Sequence, residues 1–193
     1  MELFLERGYD QTTVQDIAAH AGLTERTFFR YFADKREVLF SGAETLEKGI
    51  VERIEAAEKQ TSPLDAVAAS FEAAATALEA ARDIRFVRAR YSLVTEHPDI
   101  HERELIKMAS LAAAVRRALH ARGVAEPEAG LVAEVGIAAF KIGFERWLAE
   151  KKPRDFAGHI RAAVDALKAL TRQGSKRPTE STPVPRRTSR AKV

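Results

Sequence analysis

The chain has 193 residues, 46% of them aliphatic, aromatic or Ala and 31% charged, which is enough apolar material for one domain or two small ones. It contains no Cys, which excludes a disulfide scaffold and thiolate metal sites, and no apolar run approaches the roughly 20 residues of a membrane span. The net charge of +3 is no argument for a nucleic-acid partner, because residues 173–193 alone carry +5 and leave −2 on the remainder.

Ala, Leu, Glu and Arg dominate almost every segment and no alternating strand pattern is present, so the expected fold class is all-α. Helices are expected at 1–8, 13–20, 25–32, 35–59, 64–81, 84–96, 99–122, 127–150 and 154–172. Residues 173–193 are rich in Pro, Ser, Thr and basic side chains and read as a disordered, solvated tail. Three short helices followed by long ones suggest a small module over 1–45 joined to a helical bundle over 46–172. MELFLERGYD lacks the features of a secretory leader, so a cytoplasmic, soluble protein is expected.

Within the first module, Thr12 with Gln15 offers a capping box, and Val14, Ile17, Ala18 and Ala21 form the buried stripe of the next helix. Gly22 allows a tight turn, Leu23 plugs it, and Thr24 caps the next helix, which together make a helix-turn-helix. At about 100° per residue, Phe28 and Phe32 share the buried side of that helix. Tyr31 lies near its edge, and Arg26, Thr27 and Arg30 face outward. Outward Thr and Arg suit a major groove, since Arg can donate twice to guanine and Thr can touch a thymine methyl or a phosphate. Asp34 with Glu37 offers a second capping box, which would leave Lys35 at a helix N-terminus suited to phosphate.

The stretch from Phe4 to Phe40, FLERGYDQTTVQDIAAHAGLTERTFFRYFADKREVLF, resembles the DNA-binding domain of the TetR/AcrR family of transcriptional regulators. The resemblance rests on Gly8-Tyr9, Thr12-Thr13, Ile17-Ala18, Ala21-Gly22-Leu23, Thr27 to Phe32, Lys35 and Leu39. It implies phosphate contacts from Thr13, Tyr31 and Lys35, and groove contacts from Thr24, Glu25, Arg26, Thr27 and Phe29. Phe29 stands where that family often has Tyr, and Tyr31 where it often has His. The family's first helix is several turns long, so roughly ten further residues are expected upstream of Met1, two turns being too short for a stable helix.

The resemblance further implies a C-terminal domain that binds a small effector and pairs two protomers. Arg88-Ala89-Arg90, Glu96-His97-Pro98 and Glu102 to Leu105 resemble a subgroup common among actinobacterial regulators. Phe71, Phe86, Val87, Tyr91, Met108, Leu111, Phe140 and Phe144 are candidates for lining the effector pocket, with ordinary core as the alternative for each. Arg85, Arg88 and Arg90 could meet an anionic effector or be solvated or paired with Glu96 and Glu102. Val132, Val135, Gly136, Trp147, Phe156, Ile160, Val164 and Leu167 are candidates for a four-helix dimer interface, with Gly143, Ala138 and Ala139 allowing close approach.

The expected protein is therefore a homodimeric transcriptional repressor that binds a near-palindromic double-stranded operator and is released from it by a small molecule. Control by a protein partner is the alternative, and a helical metal-dependent enzyme is a further one. His97 and His101, four residues apart beside Glu96, Asp99 and Glu102, have metal-compatible spacing but straddle Pro98 and lack a third ligand. No catalytic residue, metal or cofactor is expected, and no membrane association.

Overall fold

The computed structural model describes residues 1–174, all of them in helices or their connections. The order is α1 (Glu2–Arg7), α2 (Val14–His20), α3 (Glu25–Tyr31), a 3-10 segment (Lys35–Phe40), α4 (Ala43–Ala56), α5 (Pro63–Ala81), α6 (Ile84–Glu96), α7 (Pro98–Ala121), α8 (Glu128–Ala149) and α9 (Phe156–Gly174). The architecture is the expected one, a helix-turn-helix module ahead of a larger helical domain. Beyond the last turn of α9, the tail lies outside the described residues.

Capping explains where the short helices begin. α2 starts one residue later than the spacing suggests, because Thr13 rather than Thr12 is its N-cap. The Thr13 hydroxyl accepts from the Asp16 amide (3.1 Å), and the Asp16 carboxylate accepts from the Thr13 amide (2.9 Å). Thr12 cannot cap because it is fully buried, and a buried hydroxyl needs its own partner; it donates to the Gly8 carbonyl at 2.7 Å. α3 begins at the expected cap, with the Thr24 hydroxyl accepting from the Thr27 amide (3.2 Å).

The helix expected over 35–59 is two elements. Gly42 has φ of +90°, a left-handed backbone that L side chains resist, and it separates the 3-10 segment from α4. Asp34 caps that segment as expected, accepting from the Arg36 amide (2.8 Å) and from the Arg36 guanidinium. Glu37, expected to complete a capping box, instead reaches α7, where Arg103 (2.5 Å) and Lys107 (3.1 Å) hold it.

Two apolar cores result. The smaller joins the two modules: Phe4, Tyr9, Leu39 and Phe40 pack with Val94 of α6 and Ile100 of α7. The larger runs through α4 to α9, around Ile50, Ile54, Val67, Phe71, Val115, Leu119, Trp147, Phe156, Ile160 and Val164. α8 packs against α5, α7 and α9 at its centre. Close approach there needs glycine: a Cβ on Gly136 would lie 2.5 Å from the Val67 side chain, and one on Gly143 only 2.9 Å from the Ile160 backbone nitrogen.

These contacts correct the expected dimer surface. Gly136, Trp147, Phe156, Ile160 and Val164 are buried within the protomer, and Val132, Val135 and Leu167 are half-buried. The large side chains of α8 and α9 fill their own bundle first. What α8 and α9 leave outside is Leu131 (64% exposed), Ala138 and Ile142 (44%) on α8, with Ala162, Ala166, Ala169 and Leu170 (67%) on α9.

Candidate functional site

The helix α3 separates its aromatic residues by role. Phe28 is 3% exposed and packs on Phe32 at 5.2 Å between ring centroids. α3 ends at Tyr31, and Phe32 takes extended backbone as its C-cap. That change of direction leaves Tyr31 on the last open turn, 66% exposed instead of tucked at the buried edge. The Arg30 guanidinium sits 4.8 Å from the Tyr31 ring centroid and donates to its hydroxyl at 2.9 Å. Arg30 is thereby held in place with guanidinium donors to spare.

Glu25, Arg26, Phe29, Arg30 and Tyr31 stand outward together, beside exposed Thr24 and half-buried Thr27, whose hydroxyls are 3.0 Å apart. Leu23, expected as an apolar plug, is 46% exposed at the turn ahead of them. This is a cationic and aromatic surface on one short helix, fixed from behind by Phe28.

Two residues expected at phosphate are engaged elsewhere. The Thr13 hydroxyl donates to the Asp16 carboxylate (2.6 Å) while accepting from the Asp16 amide as the α2 cap, so a phosphate contact there would displace the hydroxyl's donation to Asp16 and leave the cap in place. Those Thr13 hydrogen bonds, with a smaller contribution from Arg7, hold the Asp16 carboxyl below the usual carboxylate range. Lys35 turns inward. Its ammonium donates to the carbonyls of Tyr9 (2.8 Å) and Thr12 (3.2 Å), with Asp10 at 3.5 Å, and lies 4.3 Å from the Tyr9 ring centroid. All three of its donors have acceptors, so Lys35 fastens the loop between α1 and α2 to the 3-10 segment. Burial, then the Asp99 carboxylate, push the Tyr9 hydroxyl up to about 12, so this ring stays neutral beneath the lysine.

The junction between the modules carries charges that local spacing could not reveal. Glu37 is 15% exposed and flanked by Arg103 and Lys107. Burial alone would raise its pKa, but the hydrogen bonds from those two cations outweigh it and hold the carboxyl below its ordinary value. Arg90 of α6 donates to the Leu39 carbonyl (2.8 Å) and to Glu104 (2.6 Å), and Arg36 approaches Asp99 at 3.6 Å. Arg88 donates to the carbonyls of Leu148 (3.2 Å) and Glu150, and Arg85 is paired with Asp83. The three α6 arginines considered for an anionic effector are thus already occupied, with partners other than Glu96 and Glu102. His97 packs on the Tyr9 ring at 4.9 Å, and His101 is exposed.

Of the residues considered for an effector pocket, Phe71, Val87 and Leu111 are buried and Tyr91, Met108, Phe140 and Phe144 half-buried in one cluster. Phe86 lies apart. With Phe4, Ile17, Val38 and Arg82 it lines a groove of about 330 Å³ between the first module and the bundle. In its place Trp147 and Phe156 join the aromatic group, stacked on each other at 5.0 Å. Their apolar character was legible in the sequence, but not which surface they would cover.

Residues 1–41 match the family described as bacterial regulatory proteins, tetR family. Over 73 residues the chain is 37% identical to the HTH-type transcriptional regulator TcmR of Streptomyces glaucescens. That match takes in 38% of this chain and 32% of the relative, so it spans about a third of the curated protein's length. Thermus thermophilus FadR, a TetR-family transcriptional repressor crystallised in complex with lauroyl-CoA, is similar in fold, with a TM-score of 0.55 and 23% identity over 96% of this chain and 95% of that one. A second solved structure, from Mesorhizobium loti, is similar in fold, with a TM-score of 0.55 at 18% identity over 88% of this chain and 91% of that chain.

Proposed function

We propose that the chain, whose residues 1–41 match the tetR family of bacterial regulatory proteins, is a dimeric, sequence-specific transcriptional regulator of that family, released from a near-palindromic operator by a small effector. The observation that carries this reading is the outward face of α3, where Glu25, Arg26, Phe29, Arg30 and Tyr31 stand exposed on a helix anchored by Phe28. Arg26 and Arg30 are assigned to base edges or phosphates in the major groove, Thr24, Glu25, Thr27 and Phe29 to the groove wall, and Tyr31 to phosphate while it steadies Arg30. Thr13 would contribute at the backbone by turning its hydroxyl proton from Asp16 to a phosphate while keeping its cap, and Lys35 only by releasing three carbonyls.

The reading assigns DNA recognition to residues 1–45 and effector binding with dimerisation to 46–172, in the cytoplasm where the operator is. Two copies would pair through the outer faces of α8 and α9, around Leu131, Ala138, Ile142 and Leu170, with half-buried Val132, Val135 and Leu167 at the edge. An effector entering the bundle beside α6 and α7 would reach the reading helix through Glu37 and Leu39, which α7 and α6 grip directly. A shift of these contacts alters the spacing of two reading helices that must meet half-sites roughly 34–36 Å apart.

The test is selection of bound duplexes from a random pool, followed by titration of Arg26→Ala and Arg30→Ala on the selected sequence. An arginine reading guanine should lose about 1–3 kcal/mol, roughly fivefold to 150-fold in Kd. If both variants bind as tightly as the parent, α3 is not the reading helix.

A further inference from the structure

Two rows of side chains stand outward on α3. Glu25 and Phe29 lie one turn apart on the first, and Arg26 and Arg30 one turn apart on the second. Three of these residues are charged. Phe29 is the exception, a ring 53% exposed that carries no polar atom. A lone exposed apolar side chain is ordinary on a protein surface. What sets Phe29 apart is how it is held. Its ring stands edge-on to Phe28, with 5.5 Å between centroids and 89° between planes, and Phe28 is itself 3% exposed and packed on Phe32. A T-shaped pair is a favourable aromatic geometry. The outward ring is therefore fixed before any partner arrives and loses little freedom on binding.

Glu25 limits what this row can face. Its carboxylate is exposed one turn ahead of Phe29. Against the DNA backbone that carboxylate would meet phosphates of like sign, whereas at a base edge it can accept from a cytosine amine. The Glu25–Phe29 row thus suits base edges rather than the backbone. Phe29 can neither donate nor accept a hydrogen bond, so the polar atoms of those edges offer it nothing. The major groove presents one apolar group, the C5 methyl of thymine.

We infer that Phe29 is a specificity-determining residue that reads thymine: its ring covers the C5 methyl of one thymine in each half-site. This rests on α3 as the reading helix and adds a base identity to it. Phe29 lies three residues beyond Arg26, about 4.5 Å along the helix axis, against a base-pair step of about 3.4 Å. The thymine is therefore placed one or two base pairs from the pair that Arg26 meets. Thr24 and Thr27 also carry methyl groups and are the competing readers. Thr27 is half-buried, and the Thr24 hydroxyl is turned back on the helix, accepting from the Thr27 amide as the α3 cap. Phe29 alone combines an apolar surface with full projection from the helix.

The test uses the full chain and duplexes selected from an unmodified random pool, in which thymine is the only source of a C5 methyl. Each thymine of the half-site is then replaced in turn by deoxyuridine, which removes the methyl and keeps every hydrogen-bonding group. One position should cost about fourfold in Kd per half-site, and roughly 15-fold with both halves substituted. Phe29→Ala should bind the thymine and deoxyuridine duplexes equally. Parent binding that is unchanged by deoxyuridine at every thymine overturns the assignment. So does a methyl preference that survives in Phe29→Ala, which would give the reading to Thr24 or Thr27. The scan on the parent protein needs no variant, so it decides even if Phe29→Ala does not fold. Arg26→Ala and Arg30→Ala are titrated alongside. Weakened binding in these variants without any thymine sensitivity in the parent overturns this assignment alone. Undiminished binding in both removes α3 as the reading helix, and a pool that enriches no sequence removes the regulator reading; either result takes this assignment with it.

Discussion

Replacing Glu37 by Gln should weaken the seam between the N-terminal module and α7. The carboxylate is 15% exposed and bound by Arg103 at 2.5 Å and Lys107 at 3.1 Å, whose side chains are 36% and 25% exposed. Open surface pairs contribute at most about 1 kcal/mol, and breaking a fully buried one costs about 3–5 kcal/mol. This group sits between those limits, so Glu37→Gln should cost about 2 kcal/mol, or roughly 4–8 °C in Tm for a chain of this size. The pH dependence has a defined sign. Because the folded carboxyl titrates below its ordinary value of 4.5, its contribution is complete above that pH and disappears as the pH falls through the lower folded value. Urea unfolding of parent and variant at pH 7, 5 and 3.5 should give equal gaps at the first two and a smaller one at the third. A gap below about 0.5 kcal/mol at pH 7, or one that widens on acidification, would refute the proposed energetic role of this pair.

The same packing predicts three further outcomes. Lys35→Met strands the carbonyls of Tyr9 and Thr12 and should cost about 1–3 kcal/mol, with faster amide exchange across the loop between α1 and α2; unchanged exchange would mean that Lys35 does not fasten it. Gly143→Ala should destabilise more than Gly136→Ala in chemical denaturation, by about 1 kcal/mol or more, because the new methyl meets the Ile160 backbone rather than side chains that can shift. Ile142→Glu, on the exposed side of α8, should yield monomers in sedimentation without lowering monomer stability; a dimer of undiminished strength would move the interface elsewhere.

Much of α3 was legible in the sequence because its logic is local. A hydroxyl at Thr24, aromatics one turn apart at Phe28 and Phe32, and cations between them settle cap, anchor and outward face within a single short stretch. Tyr31 escaped that logic because α3 stops there, and helical geometry no longer governs the backbone from Phe32 onward. Gly42 interrupts a stretch whose neighbours on both sides favour helix, so periodicity alone carried one helix through it. Lys35 resembles a phosphate ligand when only its neighbours are considered, yet it is claimed by carbonyls more than twenty positions earlier in the chain. Glu37 and Arg103 are 66 residues apart, and no local spacing connects them. Trp147, Phe156, Ile160 and Val164 were recognisably apolar, but hydrophobicity reports that a side chain is covered, not whether its own chain or a second copy covers it.

The central claim is that two copies of α3 read two half-sites at once, and half-site spacing tests it most directly. Once the operator has been selected, binding is measured on that duplex and on one with about five extra base pairs, half a helical turn, between its halves. The insertion turns one half-site to the opposite side of the DNA, so a symmetric dimer should lose on the order of a hundredfold in affinity. Undiminished binding to the lengthened operator would contradict the account.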